Sequence, residues 1–349
     1  MNSVPVLTLT ASQAFAGYNL VGNPYPSYLD WVAVSAAATN VDPSMWYRTK
    51  NGSVYEFDTY NATSGVGTNN ATVVTQYIPP MQAFWVKVSS GTSGTLALTN
   101  AMRSHNDVSS NKFRTKAVNN ANQSVLYLQV SNGVNSDEAI VLFNFNASNG
   151  LDAYDSQKMS NANAAIPEIY TTVSNENLVI NGMTAIPYDT EIPLGFTTGQ
   201  AGTNFSIKAS QLSNFNAGTK VILKDYADVN NPLISDLSDG STYVFSSNAT
   251  TNNTNRFALL FHAPSITTGI NPTDNSSFWI STNANGQIIV NGNLSENSSV
   301  AIYNAIGQKI MSRNLTRANA SLGISLQAGV YLVTLSNAGN TITRKVIID

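Results

Sequence analysis

Cysteine is absent from this 349-residue chain, which excludes disulfides, thiolate zinc sites and cysteine nucleophiles, and leaves burial to hold any core. Charge is scarce as well. Asp, Glu, Lys and Arg supply 11% of the residues and the formal net charge is −3, so there is no basic field for phosphates, and nucleic acid and a polybasic membrane contact are excluded as partners. No stretch approaches the roughly 20 apolar residues that a membrane helix needs, so no transmembrane segment is expected. The opening residues 1–10 lack the basic and apolar regions of a signal peptide, and the chain is expected to be a mature or C-terminal portion of a longer product. What is present is a hydrophobic content of 42% with 9% aromatics, too rich for a disordered chain. Asn, Ser and Thr together make up roughly a third of the residues, giving a neutral surface of amides and hydroxyls.

Apolar residues alternate with polar ones over short runs, separated by Asn, Gly, Asp or Pro clusters, which is the pattern of an all-β protein built from sandwiches. Helix is expected only over residues 28–38, where Pro26 and Ser27 precede an Ala-rich run, with a single turn at 155–159. Two polar stretches, 109–123 and 263–276, break the alternation and read as linkers. They divide the chain into three consecutive β-sandwich modules of the Ig-like or jelly-roll-like kind, at 1–110, 120–265 and 275–349. The last shows seven short strands joined by turn pairs such as Asn285-Gly286 and Ala338-Gly339.

Catalysis needs convergent ionisable groups, and here two histidines, His105 and His262, accompany 20 scattered carboxylates. No Ser-His-acid constellation is legible. Gly91-Thr92-Ser93-Gly94 and Gly65-Val66-Gly67 lack the settings of a hydrolase elbow or a dinucleotide loop and read as turns. Glu56 and Asp58 fall on one face of a strand without a partner acid. The chain is therefore expected not to be an enzyme and to need no cofactor. One metal expectation stands out: Asp137, Glu138, Asp152 and Asp155 bracket an Asn- and Gly-containing loop at 144–150, and hard oxygen ligands of that kind suit calcium. Aromatics concentrate in the first segment (Tyr18, Tyr25, Trp31, Trp46, Tyr55, Trp85), where they serve either packing or a surface for sugars.

In the last segment, VAIYNAIGQKI (300–310), LQAGVYLVTLSNAG (326–339) and TRKVIID (343–349) resemble the type A C-terminal sorting domain of type IX secretion substrates from Bacteroidetes. Its most specific elements are Gly329 and Tyr331, two residues apart, and the closing Lys345, Val346, Ile347 and Ile348. GYNLVGNPYP (17–26) with Asp30-Trp31, IPPMQAFWVK (78–87) and TNAMRSH (99–105) are similar to a β-rich module of Bacteroidetes surface proteins, although Tyr18 stands where that module more often has Trp. DEAIVLF (137–143), DAYDSQKM (152–159) and IPLGF (192–196) resemble a second such module. The resemblance implies a secreted or outer-surface protein, an adhesin or structural component, whose partners are the type IX translocation and attachment machinery and a surface glycan or protein ligand. The alternatives are an accessory C-terminal part of a larger secreted enzyme, or a carbohydrate-binding module.

Overall fold

The computed structural model describes residues 6–12, 16–70, 74–104, 123–161, 163–264, 278–282, 287–292, 298–315, 320–321, 326–337 and 340–348. It divides into two compact units, Met1–Ser265 and Ile266–Asp349, both built from strands.

Within the first unit, a five-stranded sheet runs in the order Tyr18–Gly22, Ala83–Lys87, Ser44–Asn51, Val54–Asn61 and Val66–Gly67. A two-stranded and a three-stranded sheet close over a core that includes Leu29, Trp31, Met45, Phe84 and Leu96. The strand Ser44–Asn51 is buried on both faces at its start, because Met45 and Tyr47 join this core while Trp46 turns its indole to the carbonyl of Gln157. Such a strand loses the alternation that marks a half-exposed one.

The other sheet of this unit holds eleven strands and nearly closes on itself. Ten follow in the order Leu233–Asp236, Lys220–Asp225, Thr250–His262, Ile192–Thr198, Glu168–Val173, Glu176–Met183, Ser136–Asn144, Gln123–Ser131, Thr203–Ser213 and Thr242–Ser247. Ser156–Gln157 pairs beside Glu176–Met183. Its interior is apolar and aromatic, with Phe143, Phe196, Phe205, Phe245, Phe257 and Phe261 meeting mostly edge to face. Side chains bridge the break between the two edges. Arg256 donates to both oxygens of buried Asp225 at 3.0 and 2.9 Å and to the carbonyl of Ser246 on the far edge, while the Tyr243 hydroxyl donates to Asp225 at 2.9 Å. The expected middle sandwich is thus a nearly closed single sheet, since one sheet that curls round its own core needs no second layer.

A polar seam joins these two sheet systems. The Asn61 amide donates to the carbonyls of Ala153 and Asp155, each at 3.0 Å, and its oxygen accepts from the amides of Thr63 and Ser64 at 2.9 Å. Ser44 and Ser156 share a 2.7 Å hydroxyl contact, and Gln123 donates to Ser64 O at 3.0 Å. Gln123, expected at the end of a linker, is the first residue of a strand; most of 109–123 and 263–276 lies outside the described residues.

Helix is shorter than the sequence suggests. Residues 28–30 form a strand with Arg103–Ser104 and Tyr77–Ile78, and Asp30 then caps a six-residue helix, Trp31–Ala36. The turn expected at 155–159 is instead the strand Ser156–Gln157.

In the second unit a three-stranded sheet (Phe278–Thr282, Ile288–Gly292, Ala320–Ser321) and a four-stranded sheet (Lys309–Leu315, Ser298–Asn304, Gly329–Asn337, Asn340–Ile348) share one core. Ile280, Val290, Ile302, Val333 and Leu335 are fully buried there.

Asn61→Ala leaves two carbonyls and two amides of the seam without their partner, at about 2–3 kcal/mol in total. Chemical denaturation of the full chain is expected to show the transition of the first unit moved to lower denaturant with its slope unchanged.

Candidate functional site

The last two strands of the second unit form a hairpin in which Gly329 pairs with Ile348, Tyr331 with Val346 and Leu332 with Lys345. Period-two geometry sends Tyr331, Val346 and Ile348 into the core and leaves Lys345 and Ile347 outside, Ile347 at 59% exposure. Tyr331 donates its hydroxyl to the carbonyl of Gln327 at 2.8 Å. Its ring lies back over Gly329: a Cβ added there would sit 3.7 Å from it, an ordinary contact. Exposed Val330 and Leu332 stand beside Ile347 and Lys345 on the outer face.

Of the carboxylates expected to hold calcium, each is spent on the protein itself. Asp152 accepts from the amides of Tyr154 and Ser148, at 2.7 and 2.6 Å, and Asp155 from those of Gly182 and Asp152, both at 2.8 Å. Asp137 takes the Lys158 ammonium on both oxygens at 2.5 Å and the Ile169 amide at 2.9 Å. Glu138 accepts from the Asn69 amide at 2.8 Å and the Ser210 hydroxyl at 3.1 Å. Among the described residues no three His, Asp or Glu side chains are grouped to hold a metal ion.

What the structure assembles is a buried acidic cluster where the two sheet systems meet. Glu56, Asp58, Asp137, Glu138 and Glu168 are all buried, with Lys158 as the cation among them. Burial, reinforced by Asp58 and Asp137 nearby, raises Glu56 to about 7, even though Asn51 donates to it. Asp58 rises to about 6 and Glu138 to about 7, again chiefly through burial, and Glu168 is raised for the same reason. Glu56 Oε2 and Asp58 Oδ2 have no hydrogen-bond partner among the described residues.

His262 pairs with Asp189 at 2.5 Å on the surface, and His105 lies outside the described residues. Gly91 takes a left-handed turn, while Ser93 and Gly94 open the strand Ser93–Ala97. Of the aromatics that serve either packing or a sugar surface, Trp31 and Trp46 are fully buried, Tyr18, Tyr25 and Trp85 are partly exposed, and Tyr18 meets Trp46 edge-on at 5.1 Å. Tyr55 is half exposed.

The raised acids give stability a definite pH dependence. Their folded-state pKa values lie above those of the unfolded chain, so the native state holds more protons between about pH 4 and 7, and stability falls as pH rises through that window. Denaturation midpoints of the first unit are expected to be higher near pH 5 than near pH 8. Glu138→Gln, which can accept from Asn69 and donate to Ser210, should flatten the slope and gain on the order of 1–3 kcal/mol at the higher pH. A wild-type midpoint that climbs from pH 5 to pH 8 would contradict this account.

Comparison with known proteins gives two family matches. Residues 2–261 match the family described as "Domain of unknown function (DUF8693)", and residues 282–349 match "Secretion system C-terminal sorting domain". No curated protein matches the chain. A solved structure titled "Biofilm associated protein - BSP domain" aligns at 12% identity and a TM-score of 0.17, over 95% of this chain and 59% of that one; at that score the likeness carries no argument. The chain thus spans 59% of the length of that solved protein. The sorting domain, specific to the type IX secretion system of Bacteroidetes, makes this a secreted or cell-surface-attached protein that engages the type IX machinery. The chain belongs to the DUF8693 family and carries its domain ahead of a type IX C-terminal sorting domain.

Proposed function

We propose that residues 1–265 are a non-catalytic binding or structural body, an adhesin or surface-structure component, put on display by the C-terminal unit. The observation that carries this reading is the fate of the chain's polar chemistry. The carboxylates of the cluster are buried and bonded to backbone amides, hydroxyls and Lys158, where they join two sheet systems and are shielded from any substrate. Loops and exposed faces are left to bind a surface glycan or a protein. The Gly329–Asn337 and Asn340–Ile348 hairpin is the part that the machinery reads, with Gly329, Tyr331 and residues Lys345 to Ile348 as the signal.

Fusing residues 275–349 behind a Sec signal and a reporter should carry the reporter to the surface of a type IX-competent bacterium. Removing residues 345–349 deletes two core side chains, Val346 and Ile348, worth about 1.5–3 kcal/mol each, and export should stop. Ile347 is exposed, so Ile347→Ser should leave folding within about 0.5 kcal/mol and isolates recognition from stability. Export that proceeds equally well without residues 275–349 would refute the assignment. For the body itself, the purified chain should leave glycosidase, protease and esterase substrates at background while binding to host or bacterial surfaces. Turnover lost on a single His or carboxylate substitution would overturn the non-catalytic reading.

A further inference from the structure

Lys158 and Asp137 are the most deeply buried ion pair described in the chain, with side chains 3% and 1% exposed. The ammonium stands 2.5 Å from both carboxylate oxygens, shorter than the 2.7–2.9 Å of an ordinary charge-assisted contact. One further feature bears on the chemistry of this pair. The Ile169 amide donates to Asp137 Oδ2 at 2.9 Å, where it would stabilise negative charge developing on that oxygen.

We propose that Lys158 and Asp137 join in an intramolecular isopeptide bond, formed by the folded protein without an added reagent. In a site closed to water, a proton passes from the Lys158 ammonium to the Asp137 carboxylate, giving an amine beside a carboxylic acid. The Nζ lone pair attacks Cγ, and the charge that collects on Oδ2 is held by the Ile169 amide. A second proton passes from Nζ to Oδ1, the Cγ–Oδ1 bond breaks, and water departs. The ammonium and the carboxylate together become one amide and one water; nothing is oxidised or reduced.

Its placement gives the bond a purpose. It ties the start of the strand Ser136–Asn144 to the residue after Ser156–Gln157. Residues 153–157 are the segment that receives Asn61, Ser44 and Trp46 from the neighbouring sheet system. A displayed protein with no cysteine would in this way have a covalent brace at the junction between its two sheet systems.

Intact mass spectrometry of the full chain under denaturing conditions tests this directly. The mass should fall one water short of the sequence value, and digestion should yield a branched peptide joining the segments around residues 137 and 158, with no cleavage after Lys158. Lys158→Arg should restore the full sequence mass. A wild-type chain at its full sequence mass overturns the bond itself. So does a missing water that persists in Lys158→Arg, because dehydration at another residue then explains it.

Discussion

One asparagine side chain settles the architecture of the first unit. Asn61 ends a strand of the five-stranded sheet, is fully buried, and uses its amide nitrogen on the carbonyls of residues 153 and 155 and its oxygen on the amides of the turn that follows. Buried carbonyls need donors, and those of the 153–157 segment find theirs in another sheet system: Asn61 for two and Trp46 for Gln157. Each sheet system therefore completes the hydrogen bonding of the other. That is why Met1–Ser265 is one compact body although its sheets are distinct.

The acidic cluster at this junction carries a tension. Four carboxylates besides Asp137 are buried around a single ammonium, and a buried charge without a partner is costly. The protein relieves the cost in two ways. Glu138 and Glu168 accept hydrogen bonds, from Asn69 and Ser210 and from Asn161 and Thr197. Glu56 and Asp58 each keep an oxygen without a partner, which is tolerable when the group is neutral. Asp137 accepts from the Ile169 amide and takes Lys158, and the proposed isopeptide bond removes both of their charges.

Strand positions on half-exposed faces were legible in the sequence because alternation survives there: Ala83–Lys87, Lys220–Asp225 and, in the second unit, Phe278–Thr282, Gly329–Asn337 and Asn340–Ile348 fall where the pattern marks them. The strands that alternation hides are those buried on both sides. Ser44–Asn51 opens with four consecutive buried residues, and Glu176–Met183 holds five in its interior. The candidate site was legible in part. Glu56 and Asp58 stood out as acids on one face of a strand, and Asp137 and Glu138 as acids bracketing a loop, but their convergence depends on contacts between residues about 80 positions apart, which no local period encodes. Lys158 left no signal, being a lone lysine in a polar run. Asp152 and Asp155 looked like metal ligands because the residues that favour a calcium loop also favour a loop that bonds its own amides.

In the C-terminal unit, by contrast, fold and signal separate cleanly because a strand has two faces. Along Gly329–Asn337 the residues Tyr331, Val333 and Leu335 build the core, and along Asn340–Ile348 so do Val346 and Ile348. The intervening Val330, Leu332, Lys345 and Ile347 make no contribution to that core and are set side by side by the pairing of Val330 with Ile347 and Leu332 with Lys345. Asn340–Ile348 pairs on one side only, so its other backbone edge has no strand beside it among the described residues. Under the proposed reading, this outer face and this edge are what the type IX machinery meets, while the inner face keeps the domain folded.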